Sequence, residues 1–142
     1  MATVTFGNHS ALRVRRAERQ RIQSFYRDVL GCQLTRSFGD KDDFRIGDDF
    51  HIAFIYASGS AASADKGATY GAQDALADDD FMKAIFLELK TGHVEEMRMK
   101  ITAFGVRVLD VPDPHLYFQA PGGQVFRLVG NDEDLSKYEG TS

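Results

Sequence analysis

Apolar residues recur with helical spacing in two stretches of the chain, about 75 residues apart. In the first, 17–30, they fall at i, i+3, i+4, i+7 and i+8, as Ile22, Phe25, Tyr26, Val29 and Leu30. In the second, about 92–104, one face carries Val94, Met97, Ile101 and Phe104. Gly31 and Gly105 follow these stretches, and glycine readily adopts the left-handed conformation that ends helices. The pattern therefore predicts two amphipathic helices, with Thr91 as the N-cap of the second.

Short alternating or β-branched runs flank both predicted helices. They are bounded by Gly, Asp or Pro, as is typical of strands. The predicted strands are 10–15, 32–38, 43–46 and 50–56 around the first helix, and 83–90, 106–111, 116–119 and 124–129 around the second.

The order strand, helix and three strands thus occurs twice, which indicates an internal repeat. Ala84 lies 75 residues after His9, and Gly105 lies 74 after Gly31. We therefore predict one compact α+β domain built from two modules, 1–57 and 81–130. The segment 58–80, rich in Ala, Gly, Ser and Asp, is predicted to link them, and 131–142 is predicted to be a polar surface tail.

Charge and cysteine content narrow the class of protein. The net charge of the 142-residue chain is -4, which argues against nucleic-acid binding, and the arginines between Arg13 and Arg21 form too short and mixed a run to change this. The single cysteine, Cys32, excludes an intrachain disulfide and is interpreted as a packing residue. We see no signal peptide and no membrane span, so the expected location is the cytoplasm.

Three tracts carry a resemblance to a known superfamily: HSALRV at 9–14, FYRDVLG at 25–31 and LYFQAPGGQ at 116–124. Together they resemble the vicinal oxygen chelate superfamily, which includes glyoxalases, bleomycin-resistance proteins and extradiol dioxygenases. The resemblance implies tandem βαβββ modules whose curved mixed sheets surround a cavity. It also implies a homodimer, with the modules paired within one chain or swapped between chains.

The resemblance also implies where a metal ion would be held, namely at the first and last strand of each module. Those positions are His9, His51, Ala84 and Arg127. Alanine has no donor atom, and the arginine is a fixed cation without a lone pair to donate. Catalytic metal sites generally need three protein ligands, and Glu88 is the nearest third candidate. A divalent metal at His9, His51 and Glu88 is therefore disfavoured, and the expected site is incomplete.

Strand alternation indicates which side chains face the expected cavity. They are His9, Arg13, His51, Phe86, Glu88 and Arg127. The two arginines could hold a carboxylate or phosphate, and the phenylalanine ring could stack on a flat group. We therefore predict binding of a small polar or anionic organic molecule. In the competing interpretation, Arg127 simply pairs with Glu88 and Arg13 is exposed.

Two other functions remain as alternatives, and the sequence leaves open whether the protein is an enzyme. One is a metal-dependent lyase, isomerase or dioxygenase that uses His9, His51 and Glu88. The other is a non-catalytic dimeric accessory module. His93 and His115 are interpreted as surface residues, because one lies at a helix start and the other beside Pro114.

Overall fold

The computed structural model describes residues 2–57, 84–109 and 113–131. The predicted linker at 58–80 lies outside these residues, as does the predicted tail from 132 onwards. No helix in the described ranges is long and apolar enough to cross a membrane.

The described elements follow the predicted order. The first half has β1 (His9–Val14), a helical segment, β2 (Gln33–Phe38), β3 (Lys41–Ile46) and β4 (Phe50–Tyr56). The second half has β5 (Phe86–Thr91), α2 (Val94–Phe104), β6 (Arg107–Leu109), β7 (Leu116–Gln119) and β8 (Val125–Gly130).

Each half forms its own four-stranded mixed sheet. The strand orders are β1-β4-β3-β2 and β5-β8-β7-β6, so the two sheets have the same topology. In each sheet the first and last strands of the module pair in parallel, and the remaining pairs are antiparallel. The predicted α+β fold of two βαβββ modules is confirmed.

The chain divides into two compact units. The first comprises residues 1–75 together with 120–124, and the second comprises 76–119 and 125–142. The turn 120–124, expected within the second module, thus belongs to the first unit. A β-carbon added to Gly122 would lie 2.7 Å from Cε1 of Phe54 and 3.3 Å from Cδ1 of Ile22. This close approach requires glycine, whose φ here is +96°.

The first helical segment changes type along its length. It begins as a 3₁₀ turn (Arg16–Glu18), continues as α1 (Arg19–Gln23) and ends as a π turn (Ser24–Val29). In the π turn the Leu30 amide donates to the Phe25 carbonyl, 3.0 Å away and five residues back. The wider turn ends at Gly31, whose φ of +75° fits the predicted C-terminal cap.

This segment packs on one face of the first sheet. The ring of Tyr26 lies 5.4 Å from that of Phe44 and 5.0 Å from that of Phe54, and all three residues are fully buried. Because alternate residues of a strand point to opposite faces, this packing directs the neighbouring residues of β4 to the other face.

A buried carboxylate joins this helical segment to the first sheet. Asp42, in β3, is fully buried and accepts two hydrogen bonds from Arg19, of 3.2 and 2.9 Å. The three other donors are Gln23 at 2.8 Å, Ser37 at 2.7 Å and Tyr56 at 2.7 Å. The Arg19 guanidinium also lies 4.8 Å above the Tyr56 ring. A charge so buried is tolerated because its partners satisfy both oxygens.

In the second unit, α2 begins two residues later than predicted. Its N-cap is His93, which makes no side-chain capping bond, whereas Thr91 is the last residue of β5. The prediction of Thr91 as N-cap was therefore wrong. The Thr91 hydroxyl still stabilises the start of the helix, because it accepts a hydrogen bond of 3.1 Å from the His93 amide. The helix ends as predicted at Gly105, with φ +93°.

The burial of Cys32 predicts that the single thiol reacts slowly in the folded protein. Cys32 is 8% exposed, and its burial raises the pKa of the thiol to about 12. Since the thiolate is the reactive form, an aromatic disulfide reagent at pH 8 should label the folded protein at least ~100-fold more slowly than the unfolded protein. Absorbance of the released thiolate measures both rates. Equal rates would contradict a buried thiol.

Candidate functional site

In the first unit, the two predicted histidines face each other across neighbouring strands. The parallel register of β1 and β4 pairs His9 with His51. Their rings stack with centroids 5.1 Å apart and an interplanar angle of 14°. They lie on the face of the sheet away from Phe54, as strand alternation predicts.

A carboxylate lies beside the second histidine. The His51 Nδ1 atom is 3.2 Å from Oδ2 of Asp43, and the same carboxylate oxygen accepts a hydrogen bond of 3.2 Å from the Thr35 hydroxyl. The other oxygen, Oδ1, is buried and has no hydrogen-bond partner in the described residues. Nδ1 of His51 has none there either, because its alignment with Asp43 does not fit a hydrogen bond. On the other ring, Nδ1 of His9 lies 2.7 Å from the Asn8 side-chain carbonyl oxygen.

Basic residues lie on the same face of the sheet as the histidine pair. Arg13 and Lys41 are both register partners of Ile55, and Arg45 is the register partner of His51. Arg45 donates a hydrogen bond of 2.6 Å to the Gln33 side chain. Arg36 is the register partner of Asp43 in turn, so among the described residues the cations outnumber the carboxylate of Asp43 and leave this face positively charged.

In the second unit, the corresponding position holds an ion pair. The register of β5 and β8 places Glu88, not Ala84, opposite Arg127, and Ala84 precedes β5. Nη2 of Arg127 lies 2.5 Å from Oε2 of Glu88. Its guanidinium also lies 4.8 Å above the Phe86 ring, which meets the Tyr117 ring edge-on at 5.5 Å. The expected pairing of Arg127 with Glu88 is present in the structure.

Tyr117 extends this cluster to a second carboxylate. Its hydroxyl accepts a hydrogen bond of 3.2 Å from Nη1 of Arg127 and donates one of 2.6 Å to Oδ2 of Asp113. Burial and the hydrogen bond to Asp113 both raise the pKa of the Tyr117 hydroxyl. Burial lowers the pKa of Arg127, but the hydrogen bonds to Glu88 and Tyr117 raise it by more, so the pKa of the guanidinium is raised overall. The guanidinium therefore stays charged and lies close to two carboxylates, Glu88 at 2.5 Å and Asp113 at 3.7 Å.

His115 also joins this cluster. Its side chain is only 6% exposed, and both its ring Nδ1 and its backbone amide are hydrogen-bonded to Oδ1 of Asp113. The interpretation of His115 as a surface residue was therefore wrong. The tight turn at 113–115 folds the histidine back onto the carboxylate two residues before it.

The residues at the implied metal positions do not suit a metal ion. Ala84 offers no donor atom, and Glu88, which the register places opposite Arg127 in its stead, is already paired with the positive charge of that arginine. Within residues 2–57, 84–109 and 113–131, no three His, Cys, Asp or Glu side chains converge in a way that could hold an ion. We therefore derive no chemistry through a metal.

The six predicted site residues thus fall into two sets. His9 and His51 come together in the first unit, with Arg13 exposed on the same face. Phe86, Glu88 and Arg127 come together in the second. Asp43, Asp113 and Tyr117 were missed. Alternation along β7 makes Tyr117 a candidate site residue, but only the register of β7 and β8 shows that it lies beside Arg127.

Comparisons with known proteins address the fold. No family model matches the chain, and no curated protein sequence matches it. Solved structures do match. A manganese-bound mutant of the fosfomycin resistance protein FosX from Listeria monocytogenes is 19% identical, with a TM-score of 0.60, over 96% of this chain and 100% of that one. A glyoxalase/bleomycin resistance protein/dioxygenase from Nocardioides is 15% identical, with a TM-score of 0.60, over 92% and 85%.

A lactoylglutathione lyase from Agrobacterium tumefaciens gives the same result, with 14% identity and a TM-score of 0.56 over 92% of this chain and 96% of that one. At such identities the likeness concerns the fold and not the activity. The order of elements, the two equivalent sheets and these matches agree with the resemblance in the sequence. The chain has the fold of these fosfomycin-resistance, glyoxalase and bleomycin-resistance proteins.

Proposed function

We propose that the polar sheet face of each unit of this protein can bind a small polar or anionic organic molecule, without a metal ion. The observation that carries the proposal is a set of buried polar atoms lacking hydrogen-bond partners in the described residues. They are Nδ1 of His51, Oδ1 of Asp43 and Nε of Arg127. A buried polar atom left unpaired costs about 1–3 kcal/mol, so a bound water or ligand atom is expected at each.

The two faces favour different chemical groups. Arg13, Lys41 and Arg45 give the first face a positive charge that suits a carboxylate or phosphate. In the second unit the charge of Arg127 is already balanced by Glu88, so that face suits a neutral polar group with a hydrogen-bond acceptor. Phe86, 39% exposed, offers a ring for stacking.

The matched structures support a ligand of this kind. The FosX structure from Listeria monocytogenes contains Mn(II) and a dihydroxypropylphosphonic acid, which is a small anionic molecule. Here Arg13, Lys41 and Arg45 supply positive charge of the protein's own on the first face, and this favours binding without a metal. The alternative of a metal-dependent lyase, isomerase or dioxygenase has no supporting side-chain set in the described residues.

A thermal-shift screen with small carboxylates, phosphates and aromatic metabolites tests the proposal. A true ligand at about 100 times its Kd should raise the free energy of unfolding by about 2.7 kcal/mol. Tyr117→Phe removes the hydroxyl that orients Arg127 and should weaken binding on the face of the second unit about tenfold. Tyr56→Phe is the matched control, since it also loses one hydroxyl but leaves both polar faces intact.

The possible results separate the functions. Stabilisation that Tyr117→Phe reduces and Tyr56→Phe retains supports the proposal. No stabilisation by any compound would favour the non-catalytic accessory module instead.

Elemental analysis of the purified protein tests the metal-free part of the proposal. We expect zinc, nickel, manganese and iron each at well below one atom per chain. Stoichiometric metal that is lost when His9 and His51 are both replaced by alanine would overturn this part. It would restore the metal-dependent alternative with those histidines as ligands.

We also propose that the protein is a cytoplasmic homodimer. Each sheet has edge strands, β1 and β2 in one and β5 and β6 in the other, and the backbone groups at sheet edges favour pairing. Light scattering coupled to size-exclusion chromatography should give twice the mass of one 15.8 kDa chain. A monomer mass across the micromolar range would contradict the dimer.

A further inference from the structure

Positive charge is concentrated in one short stretch of this acidic protein. Between Arg13 and Arg27 the sequence has six arginines and one acidic residue, Glu18, so the stretch carries +5 in a chain of net charge -4. The polar faces described above use only Arg13. A local charge of the opposite sign to the whole molecule concentrates counter-ions around it.

A groove of about 530 Å³ runs along this stretch of the first unit, on the outer side of the helical segment. Its polar lining consists of Arg16, Arg19, Gln20, Gln23, Ser24 and Arg27. All of these side chains carry hydrogen-bond donors, and none is a carboxylate. The spacing of about four residues places them along one side of the helix.

Arg16 is held in place without being neutralised. Its Nη1 donates a hydrogen bond of 2.7 Å to the Gly39 carbonyl, and its Nε donates one of 3.0 Å to the Ala57 carbonyl. Among the described residues, no carboxylate lies within ion-pair distance of it. Carbonyl groups orient a guanidinium but leave its full charge available to a ligand, and such preorganisation lowers the cost of binding.

A second guanidinium lies next to it. Arg19 donates a hydrogen bond of 2.8 Å to the same Gly39 carbonyl and others to buried Asp42. The negative charge of Asp40, in the turn between β2 and β3, also raises the pKa of Arg19. Arg27, farther along, has among the described residues one exposed ion pair, with Asp28 at 3.2 Å, which screening by water makes weak. Two anchored arginines and a third exposed one therefore line the groove.

We propose that this groove is a second ligand site, which binds the tetrahedral oxyanion of a small phosphorylated or sulfated organic molecule. Guanidinium groups bind phosphate or sulfate oxygens with paired hydrogen bonds. The groove is larger than one such ion, and the exposed amide of Gln20 can bind hydroxyl groups of the remainder of the ligand. The site lies on the helical side of the first unit, so it is independent of the function proposed for the polar faces.

Titration with inorganic phosphate and with sulfate, followed by NMR of the arginine Nε–H signals at constant ionic strength, tests this site. We expect saturable shifts at Arg16 and Arg19 with a millimolar Kd. A phosphorylated monosaccharide should bind more tightly than inorganic phosphate, and the unphosphorylated sugar should not bind. Arg16→Gln should weaken binding at least fivefold. Arg98→Gln on α2 removes the same charge elsewhere and should leave binding unchanged.

Gln20→Glu is the second variant, because it adds a negative charge to the groove and leaves the contacts of Arg16 intact. It should weaken binding at least fivefold even if Arg16→Gln disturbs folding. The site is refuted if Gln20→Glu binds phosphate like the unmodified chain, or if the shifts follow ionic strength and do not saturate. Failure here leaves the proposal for the polar faces standing, since Tyr117→Phe tests that proposal separately.

Discussion

Asp42→Asn is expected to lower the free energy of unfolding by about 3 kcal/mol, because removing one partner of a buried ion pair leaves the other uncompensated. Asp42 is fully buried, and four side chains donate to it. An asparagine keeps the shape, loses the charge and turns an NH2 group towards these donors. Urea denaturation at pH 7 measures the effect.

The same substitution should change the dependence of stability on pH. Burial opposes ionisation of Asp42, but the hydrogen bonds from Arg19, Ser37, Tyr56 and Gln23 prevail, so its pKa is lowered. A lowered pKa in the folded state contributes stability above the ordinary aspartate pKa of about 3.9, and that contribution is lost as the pH falls below it. The difference between the unmodified chain and Asp42→Asn should therefore be full at pH 7 and shrink below about pH 4.

Asp28→Asn is the matched control for Asp42→Asn. The Asp28 side chain is 62% exposed, and in the part of the chain that the structure describes it pairs only with Arg27, so its loss should change stability by less than about 1 kcal/mol. Equal effects of the two substitutions, or a loss from Asp42→Asn that does not vary with pH, would show that the buried network does not stabilise the unit through its charge.

Gly122→Ala is expected to lower the free energy of unfolding by about 2–4 kcal/mol, from overpacking and from backbone strain. The new methyl group would lie 2.7 Å from a ring carbon of Phe54, which is itself fully buried and cannot move away easily. The φ of +96° adds strain, because a β-carbon disfavours that conformation. Thermal and urea denaturation measure the loss.

Gly47→Ala separates the two causes. Its φ is +69°, but nothing lies within 4 Å of the new β-carbon, so only the backbone cost of about 1 kcal/mol is expected. If both glycine variants lose the same stability, the contact of the 120–124 turn with Phe54 contributes nothing measurable.

Much of the fold was predictable because its signals are local. Helical spacing from Ile22 to Leu30 and the glycines that follow both helices depend on residues a few positions apart. Strand alternation also placed His9 and His51 on one face, and the register confirms that they are neighbours. The π turn was not predictable, since one extra residue in a turn leaves the apolar spacing nearly unchanged.

The candidate site was predictable only in part. Arg127 was expected either to hold a ligand or to pair with Glu88, and periodicity could not decide between these. The register of β5 and β8 decided it, because it places the two side chains directly opposite each other. Tyr117 contacts Arg127 from the neighbouring strand β7, and Asp113 contacts Tyr117 from the turn before that strand. The contact of Tyr117 with Arg127 depends on hydrogen bonding between strands, which no local pattern specifies.

The sequence by itself determined the two βαβββ modules and the unsuitability of Ala84 and Arg127 as metal ligands, because periodicity and donor chemistry are properties of the residues themselves. Only the tertiary structure decided that Asp42 is buried, that Glu88 neutralises Arg127, and that Arg16 and Arg19 share one carbonyl oxygen. The last of these joins Gly39 to residues about 20 positions earlier in the chain. The physical reason is that burial and ion pairing arise between residues far apart in the chain, and the packing of the elements alone brings them together.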